Sequence, residues 1–560
     1  MDNVTLFCCL VNSNTLFPMD ISSSLTVGHL KEMIKEERPY DFTEIRADKL
    51  ELFKVSVPDD DDFTKILAIK GIESLKSTMK LFELFPNENS EKTIHIAVKI
   101  PATSPNLRNV LDRCHILQEI QTGSYSHAEV IYNSRPLELS APIMIYHPVF
   151  SKFVRSLSVP ATTLEFTDKE LEDAISFITV MCEFYDDRGT WRDYVHSVLK
   201  GFVVDSPITL NRVCIVLPDA FCRAFCPLLP RGVYAYFNIE RITNEIGEGN
   251  WDPIALAERD YATIVTSDEY TSIREACCCP TLLIGMSGPH LVVSGAVFTE
   301  RLISERLTDL IRIVPGPTNG SESPLDYLAC RVAQLFRVIR EASEELRTFY
   351  RELKPQPRPR DGGYCFPPHF DKYSIGQDNF QITYLERLSH NSPDKAIFKA
   401  EARNITSGVT CEVVVKFAYS YSQMGHELLA SCGFAPALRY CQRVDNVGGM
   451  SVIVMDWVAG EHVPDGIKDA EVIQSLRRAV KVLHENGLVF GDLCASNVLV
   501  KQGEKTVMLV DFDWCGPEGF ARYPYVNMHR GGLIEKAHDA HMFHLLTGVH
   551  LDENDNGSVA

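Results

Sequence analysis

No apolar run in the 560 residues approaches the ~20 that a membrane-spanning helix needs, so no membrane span is expected. Positive charge is also in short supply. The 55 Lys and Arg stand against 75 Asp and Glu, a net charge of −20, which argues against nucleic-acid binding by bulk electrostatics and leaves only a local basic groove as a route to it. The 17 cysteines are odd in number and scattered, and they include the run Cys277-Cys278-Cys279. That is not a disulfide framework, and a reduced, intracellular working environment is expected. Paired short spacings for zinc are missing as well, so Cys222, Cys226 and Cys277 to Cys279 are expected as buried thiols. Repeats, low-complexity tracts, a secretory signal at Met1-Asp2-Asn3 and a basic cluster that would serve as a nuclear address are all absent. The composition that remains, 45% hydrophobic and 23% charged, is that of an ordinary folded protein. At this length it predicts roughly three to four domains.

The stretch with the most chemistry is Leu488-Val489-Phe490-Gly491-Asp492-Leu493-Cys494-Ala495-Ser496-Asn497. It sets an acid and an amide five residues apart, between a helix end and a strand. A second acid follows in Val510-Asp511-Phe512-Asp513. The set suits phosphoryl transfer, with Asp492 receiving the acceptor's proton and Asn497 and Asp511 holding magnesium on the phosphates. Val498 to Lys501 and Thr506 to Val510 read as two short strands joined by a Gln-Gly-Glu turn, which presents both metal ligands at one edge of a hairpin.

At the N-terminus, Val4 to Val11 reads as a strand, Asn12 to Asn14 as a tight turn and Thr15 to Ile21 as the partner strand. Thr26 caps a helix whose apolar face is Val27, Leu30 and Ile34, ending at Pro39. Lys49 to Val55 alternates as a third strand, and Asp59 to Asp62 is a solvated loop. Hairpin, helix and strand open a small β-grasp, or ubiquitin-like, fold. The runs Leu30-Lys31-Glu32-Met33-Ile34-Lys35-Glu36-Glu37, Ala47-Asp48-Lys49-Leu50-Glu51-Leu52-Phe53-Lys54-Val55 and Thr93-Ile94-His95-Ile96-Ala97-Val98-Lys99-Ile100-Pro101 closely resemble the leading segment of Crinkler effectors. The resemblance covers residues 1–105. It implies a ubiquitin-like leading domain, secretion and delivery into a host cell, host proteins as partners, and activity that often ends in the host nucleus.

Residues 110–353 read as a mixed α/β middle domain. Tyr146 to Phe150 and Thr167 to Phe184 predict packed helices, Leu282 to Val297 predicts buried strands, and Pro324 to Lys354 predicts a long helix capped by Ser323. Fungal relatives of the Crinkler group often carry a segment similar to restriction-endonuclease-type nucleases, and Asn244 to Pro253 resembles the stretch after such a nuclease's Glu-x-Lys. Here Arg241-Ile242-Thr243 stands where the acid and the lysine are needed. Asp205 is the candidate partner acid, without a motif around it. The expectation is a degenerate, structural nuclease-like domain that does not cut DNA.

Lys354-Pro355-Gln356-Pro357-Arg358-Pro359-Arg360 reads as a stiff linker, and 362–550 as the last domain. Phe380 to Leu388, Lys395 to Glu401 and Cys411 to Phe417 read as strands. Lys416 ends an apolar strand and needs a paired charge, for which Glu427, on the helical stretch Ser422 to Cys432, is the natural partner. Asp456-Trp457-Val458 resembles the hinge that binds adenine through backbone groups. The order Lys416, Glu427, Asp492, Asn497, Asp511, Asp539 resembles the protein-kinase-like superfamily. The resemblance implies ATP and Mg2+ as cofactors, Lys416 and Glu427 at the nucleotide phosphates, and Asp539 bracing the catalytic loop from below.

This sequence departs from the kinase pattern in four ways. Ser389-His390-Asn391-Ser392-Pro393-Asp394 stands where a glycine-rich loop belongs. Gly491 replaces the catalytic arginine, and Asp513 replaces the glycine of Asp-Phe-Gly, adding a third carboxylate near the metals. Only 49 residues (560 minus 511) follow Asp511, fewer than a peptide-binding lobe uses. Gly503 to Thr506 falls short of a phosphate-binding loop for want of a glycine before Lys505, and 551–560 is expected as a disordered tail. The expected protein is therefore an α+β multidomain Crinkler-like effector with a compact kinase-like domain acting on a protein acceptor. The competing expectation is a pseudokinase that binds nucleotide without transferring phosphate. Self-association into a homodimer is left open.

Overall fold

Alternation along Val4-Thr5-Leu6-Phe7-Cys8 puts Val4, Leu6 and Cys8 on one buried face, as a period of two requires. In the computed structural model this stretch is β1 (Asn3–Leu10), paired antiparallel with β2 (Thr15–Ser22), whose Phe17, Met19 and Ile21 enter the same core. The helix Val27–Glu37 adds Val27, Leu30 and Ile34 at helical spacing. β3 (Glu51–Pro58) runs antiparallel to β4 (Thr93–Lys99), and β4 lies parallel to β1, giving the order β2-β1-β4-β3. The structure describes residues 3–10, 15–37, 47, 50–58, 74–85, 93–99, 131–132, 140–199, 220–243, 252–299, 301–318, 323–355, 366–389, 392, 394–464, 466–524 and 531–552. The expected turn at Asn12 to Asn14 and the acidic run at Asp59 to Asp62 lie outside them. The chain is a mixed α/β multidomain protein that falls into two units, Met1–Thr103 with Val463–Ile467, and Ser104–His462 with Lys468–Ala560.

The second unit begins with a sheet of β5 (Ile131–Tyr132), β6 (Ala220–Ala224), β7 (Ala235–Thr243), β8 (Thr281–Ser287), β9 (His290–Phe298), β10 (Leu302–Arg306) and β11 (Ile311–Arg312). Its order is β5-β10-β9-β8-β7-β6, with β11 beside β9. Every residue of β8 is buried, which is why its sequence shows no polar alternation. Gly295 on β9 is required by close approach: a Cβ there would sit 2.5 Å from Ile143 and Phe150 side-chain atoms. The helix Asp168–Cys182 opens with a capping box between Thr167 and Glu170. Helix Pro324–Glu352 starts on the proline expected at its first position.

Arg241 on β7 donates to both oxygens of Asp260, from Nη2 at 2.7 Å to Oδ1 and from Nε at 2.5 Å to Oδ2. Asp205 and residues 244–251 lie outside the described residues. Cys222, Cys226, Cys277, Cys278 and Cys279 are buried free thiols. Among the described residues, no helix is long and apolar enough to cross a membrane.

Beyond the proline-rich stretch come β12 (Lys372–Ile375), β13 (Asp378–Arg387), β14 (Ala396–Asn404), β15 (Thr410–Ala418), β16 (Leu438–Val444) and β17 (Met450–Asp456). They form an antiparallel sheet in the order β12-β13-β14-β15-β17-β16. This sheet shares one continuous hydrophobic core with the middle segment, running from Phe150 and Leu346 through Tyr350 to Phe370, Phe398 and Val454. Polar contacts cross as well: Ser151 Oγ donates to the Asn446 carbonyl at 2.7 Å, and the His369 amide donates to the Ile145 carbonyl at 2.8 Å. Middle and last segments therefore stand in one unit. β18 (Gly460–His462), β19 (Leu488–Val489), β20 (Val498–Lys501) and β21 (Val507–Leu509) follow, with β18, β20 and β21 forming a small sheet.

Candidate active site

The hairpin expected after Asn497 is β20 and β21, and Gly503 at φ +77° turns it between them. Its ends carry Asn497 and Asp511, and the Val510 amide donates to the Asn497 carbonyl at 3.0 Å, locking one to the other. The helix Ala470–Glu485 buries Val472, Leu476, Val480 and Leu483. Asp469 caps it, and it ends at Asn486 before Gly487, which has φ +70°. It delivers the chain into Phe490-Gly491-Asp492.

That turn is held from beneath by Asp539, which is fully buried on the helix Lys536–Thr547. Asp539 Oδ2 accepts from the Phe490 amide at 2.8 Å and from His484 Nε2 at 3.0 Å, and Oδ1 accepts from the Gly491 amide at 2.8 Å. Gly491 has φ +84°, and a Cβ there would meet Ile534 at 2.9 Å. Space and backbone conformation together require glycine where an arginine stands in the kinase pattern. Phe490 and Phe512 meet edge to face at 5.5 Å, so the two acid-bearing turns share an apolar underside.

Asn497 is buried and donates from Nδ2 to the carbonyl and the Oδ2 of Asp492, both at 2.9 Å. The amide oxygen is left as the group able to ligate a cation. Burial and the neighbouring Asp511 charge push the Asp492 carboxyl up. Asp511 sits at φ +70°, a left-handed conformation that few non-glycine residues adopt and that aspartate tolerates better than most. Burial alone would raise its pKa, but Lys416 and Lys395 together hold it well below the usual carboxylate range. Lys416, on β15, is buried and lies 2.6 Å from both Asp511 Oδ1 and Asp513 Oδ1. Lys395 Nζ lies 2.8 Å from Asp511 Oδ2.

The expected Lys416–Glu427 pair is not formed. Glu427 is exposed and accepts instead from Gln423 Nε2 at 2.7 Å. The orientation of its helix, Gln423–Ser431, decides this. His426 stacks on Phe512 at 4.7 Å and bonds the Pro436 carbonyl at 2.8 Å, Gly425 packs against Cys515, and Leu429 is buried. Glu427 sits one position off that stripe and faces solvent. Asp511 and Asp513 take its place beside the lysine. Lys395 is the residue the sequence did not disclose, since nothing in its own neighbourhood marks it as facing Asp511. In the expected hinge, the Asp456 and Trp457 amides are already bonded, to the Ala437 carbonyl at 3.0 Å and the Glu412 carbonyl at 3.1 Å.

Among the described residues no three His, Cys, Asp or Glu side chains gather into a metal cage. Magnesium does not need one, because it takes one or two protein oxygens and fills its octahedron from phosphates and water. The carboxylate of Asp511 and the amide oxygen of Asn497 fit that demand, and two lysines beside them fit a polyphosphate.

Part of the chain has known relatives. Residues 4–99 match the family model of the Crinkler effector protein N-terminal domain. Crinkler effector protein 1 of Rhizophagus irregularis is 37% identical over 106 residues, 18% of this chain and 22% of that protein. Crinkler effector protein 8 of Phytophthora infestans is 51% identical over 51 residues, 9% of this chain and 8% of that protein. The matches thus span about a fifth or less of these relatives' own lengths. A probable bifunctional tRNA threonylcarbamoyladenosine biosynthesis protein of Methanothermobacter thermautotrophicus is 36% identical over 69 residues, 12% of each chain. Among solved structures, the Cydia pomonella granulovirus kinase PK-1 is 19% identical, covering 31% of this chain and 72% of its own, at a TM-score of 0.23, too low to argue from. The domain match and the two Crinkler relatives agree: residues 4–99 of this chain are similar to the N-terminal domain of Crinkler effector proteins.

Proposed function

We propose that the chain is a host-delivered effector whose last segment is a kinase-like phosphotransferase, using ATP and Mg2+ to phosphorylate a protein acceptor. The observation that carries this is the convergence of two bonded pairs, Asn497 with Asp492 and Lys416 with Asp511, tied together by the Val510 amide on the Asn497 carbonyl, over a turn braced by Asp539. Asn497 orients Asp492, whose carboxylate accepts the hydroxyl proton of the acceptor as that oxygen bonds the γ-phosphorus of ATP and the bond from this phosphorus to the β–γ bridging oxygen breaks, releasing ADP. Asp511 and Asn497 would hold magnesium, which would supply charge neutralisation at the phosphates, and Lys416, beside Asp511, would position the phosphates.

Delivery to a host cell, with the nucleus as a destination, is supported by the Crinkler N-terminal domain. The strand order β2-β1-β4-β3, with β4 parallel to β1, supports a ubiquitin-like fold for that domain. For the middle segment a degenerate nuclease-like role is supported by Arg241, which stands in the acid's place and is bound to Asp260.

A second function has its own support. Glu427 faces away from Lys416, and no glycine-rich loop covers the phosphates, features that fit a nucleotide-binding module without transfer. The purified chain, incubated with radiolabelled ATP, magnesium and a protein substrate panel, separates the two. Transfer that falls by about 10²–10⁴ in Asp492→Asn supports the phosphotransferase. Nucleotide binding without any transfer supports the binding module, and transfer equal in Asp492→Asn removes Asp492 as the base.

A further inference from the structure

The connection from β13 to β14 ends on Lys395, and it is built to hold that residue still. Arg387, buried at the end of β13, donates from Nη2 to the Lys395 carbonyl at 2.9 Å and from Nε to Ser389 Oγ at 3.1 Å. Ser389 Oγ donates to the same Lys395 carbonyl, and the Lys395 amide donates to the Ser392 carbonyl at 2.9 Å. With its backbone fixed on both sides, Lys395 aims its ammonium at Asp511 Oδ2, while its side chain stays 40% exposed.

In this position kinase-like folds use glycines, whose bare backbone amides cradle phosphate oxygens. This chain has none between Leu388 and Lys395. Yet the charge that a polyphosphate needs is present. Three carboxylates face the site, and Lys416 alone, enclosed between Asp511 and Asp513, leaves it net negative.

We propose that Lys395 is a second phosphate-binding lysine, which recognises the polyphosphate of a nucleoside triphosphate by charge where the fold has no glycine-rich loop. The proposal rests on the ATP-dependent function above. Asp511 serves as a common counter-ion for Lys395 and Lys416. Where Asp511 would hold a magnesium ion, the ammonium groups of Lys416 on β15 and Lys395 on the β13–β14 connection would be free to pair with phosphate oxygens. Arg387 and Ser389 are positioning residues that act only through the Lys395 backbone.

The test is calorimetric titration of the full chain, wild type and Lys395→Ala and Lys395→Arg variants, with ATP plus magnesium and separately with adenosine. Lys395 is partly exposed on a loop, and a thermal melt checks that each variant is folded. The expected result is a loss of about tenfold or more in ATP affinity for Lys395→Ala, the worth of one charge-assisted contact. Adenosine affinity should stay unchanged, and Lys395→Arg should recover much of the ATP affinity. An unchanged ATP affinity in Lys395→Ala overturns the proposal and leaves the phosphotransferase standing, and so does an equal loss for ATP and adenosine. Wild-type protein that binds neither ligand overturns both.

Discussion

Replacing Asp539 by alanine removes the acceptor of two backbone amides and one imidazole at once, in a place that water does not reach. The Phe490 and Gly491 amides each lie 2.8 Å from its carboxylate, and His484 lies 3.0 Å away. A buried donor left without a partner costs about 1–3 kcal/mol, so three stranded donors imply roughly 3–9 kcal/mol if the turn keeps its shape. A second variant, Asp539→Asn, keeps the volume and one accepting oxygen but turns an NH2 towards a donor, for an intermediate loss. The chain has more than one unit, so a single melting temperature would mix transitions. Hydrogen exchange resolved at Phe490 and Gly491 reads the turn itself. Both amides should exchange faster in Asp539→Ala by at least two orders of magnitude, the kinetic equivalent of about 3 kcal/mol, while the amides of β1 to β4 stay as they were. Unchanged protection at both amides would refute the assignment of Asp539 as the brace of the Phe490-Gly491-Asp492 turn.

Gly491→Ala should destabilise the same turn by about 1–3 kcal/mol, because an alanine at positive φ is strained and its Cβ meets Ile534; local hydrogen exchange checks it. Glu427→Gln should leave nucleotide affinity within about twofold of wild type by calorimetry, since Glu427 is bonded to Gln423 rather than to Lys416, and surface changes of this kind are small. Gly295→Ala should cost about 1–3 kcal/mol through overpacking against Ile143 and Phe150, seen in chemical denaturation. His147 is held neutral by burial, with the His369 and Lys152 charges adding to it, and its pKa falls to about 3. Its folded pKa is below the unfolded value of about 6.5, so its contribution is complete above pH ~6.5 and is lost progressively as pH falls towards 3. His147→Asn keeps an acceptor for the Val149 amide and should flatten the stability loss between pH ~6.5 and ~4.5, measured by denaturation at each pH.

Local order was written in the sequence wherever a short-range rule sufficed. The hairpin after Asn497 needed only two apolar runs and a glycine that tolerates φ +77°, and it formed at the expected residues. The helix Ala470–Glu485 followed from a 3.6-residue stripe, an aspartate cap and a glycine stop. The order of Asp492, Asn497 and Asp511 along the chain marked the turns that carry them.

What only the tertiary structure decided is which charges meet. Spacing placed Glu427 on a helix near Lys416, but the rotation of that helix is set by His426 against Phe512 and Gly425 against Cys515, contacts made across more than eighty residues of chain. Lys416 therefore found Asp511 and Asp513. Lys395 reaches Asp511 across 116 residues, which no local pattern encodes. The proline-rich stretch read as a linker, yet the residues on either side of it bury one common core, because apolar faces on the helix Pro324–Glu352 and on β14 to β17 are covered together. Hydrophobic periodicity tells which face of an element is buried; it carries no information about which partner buries it.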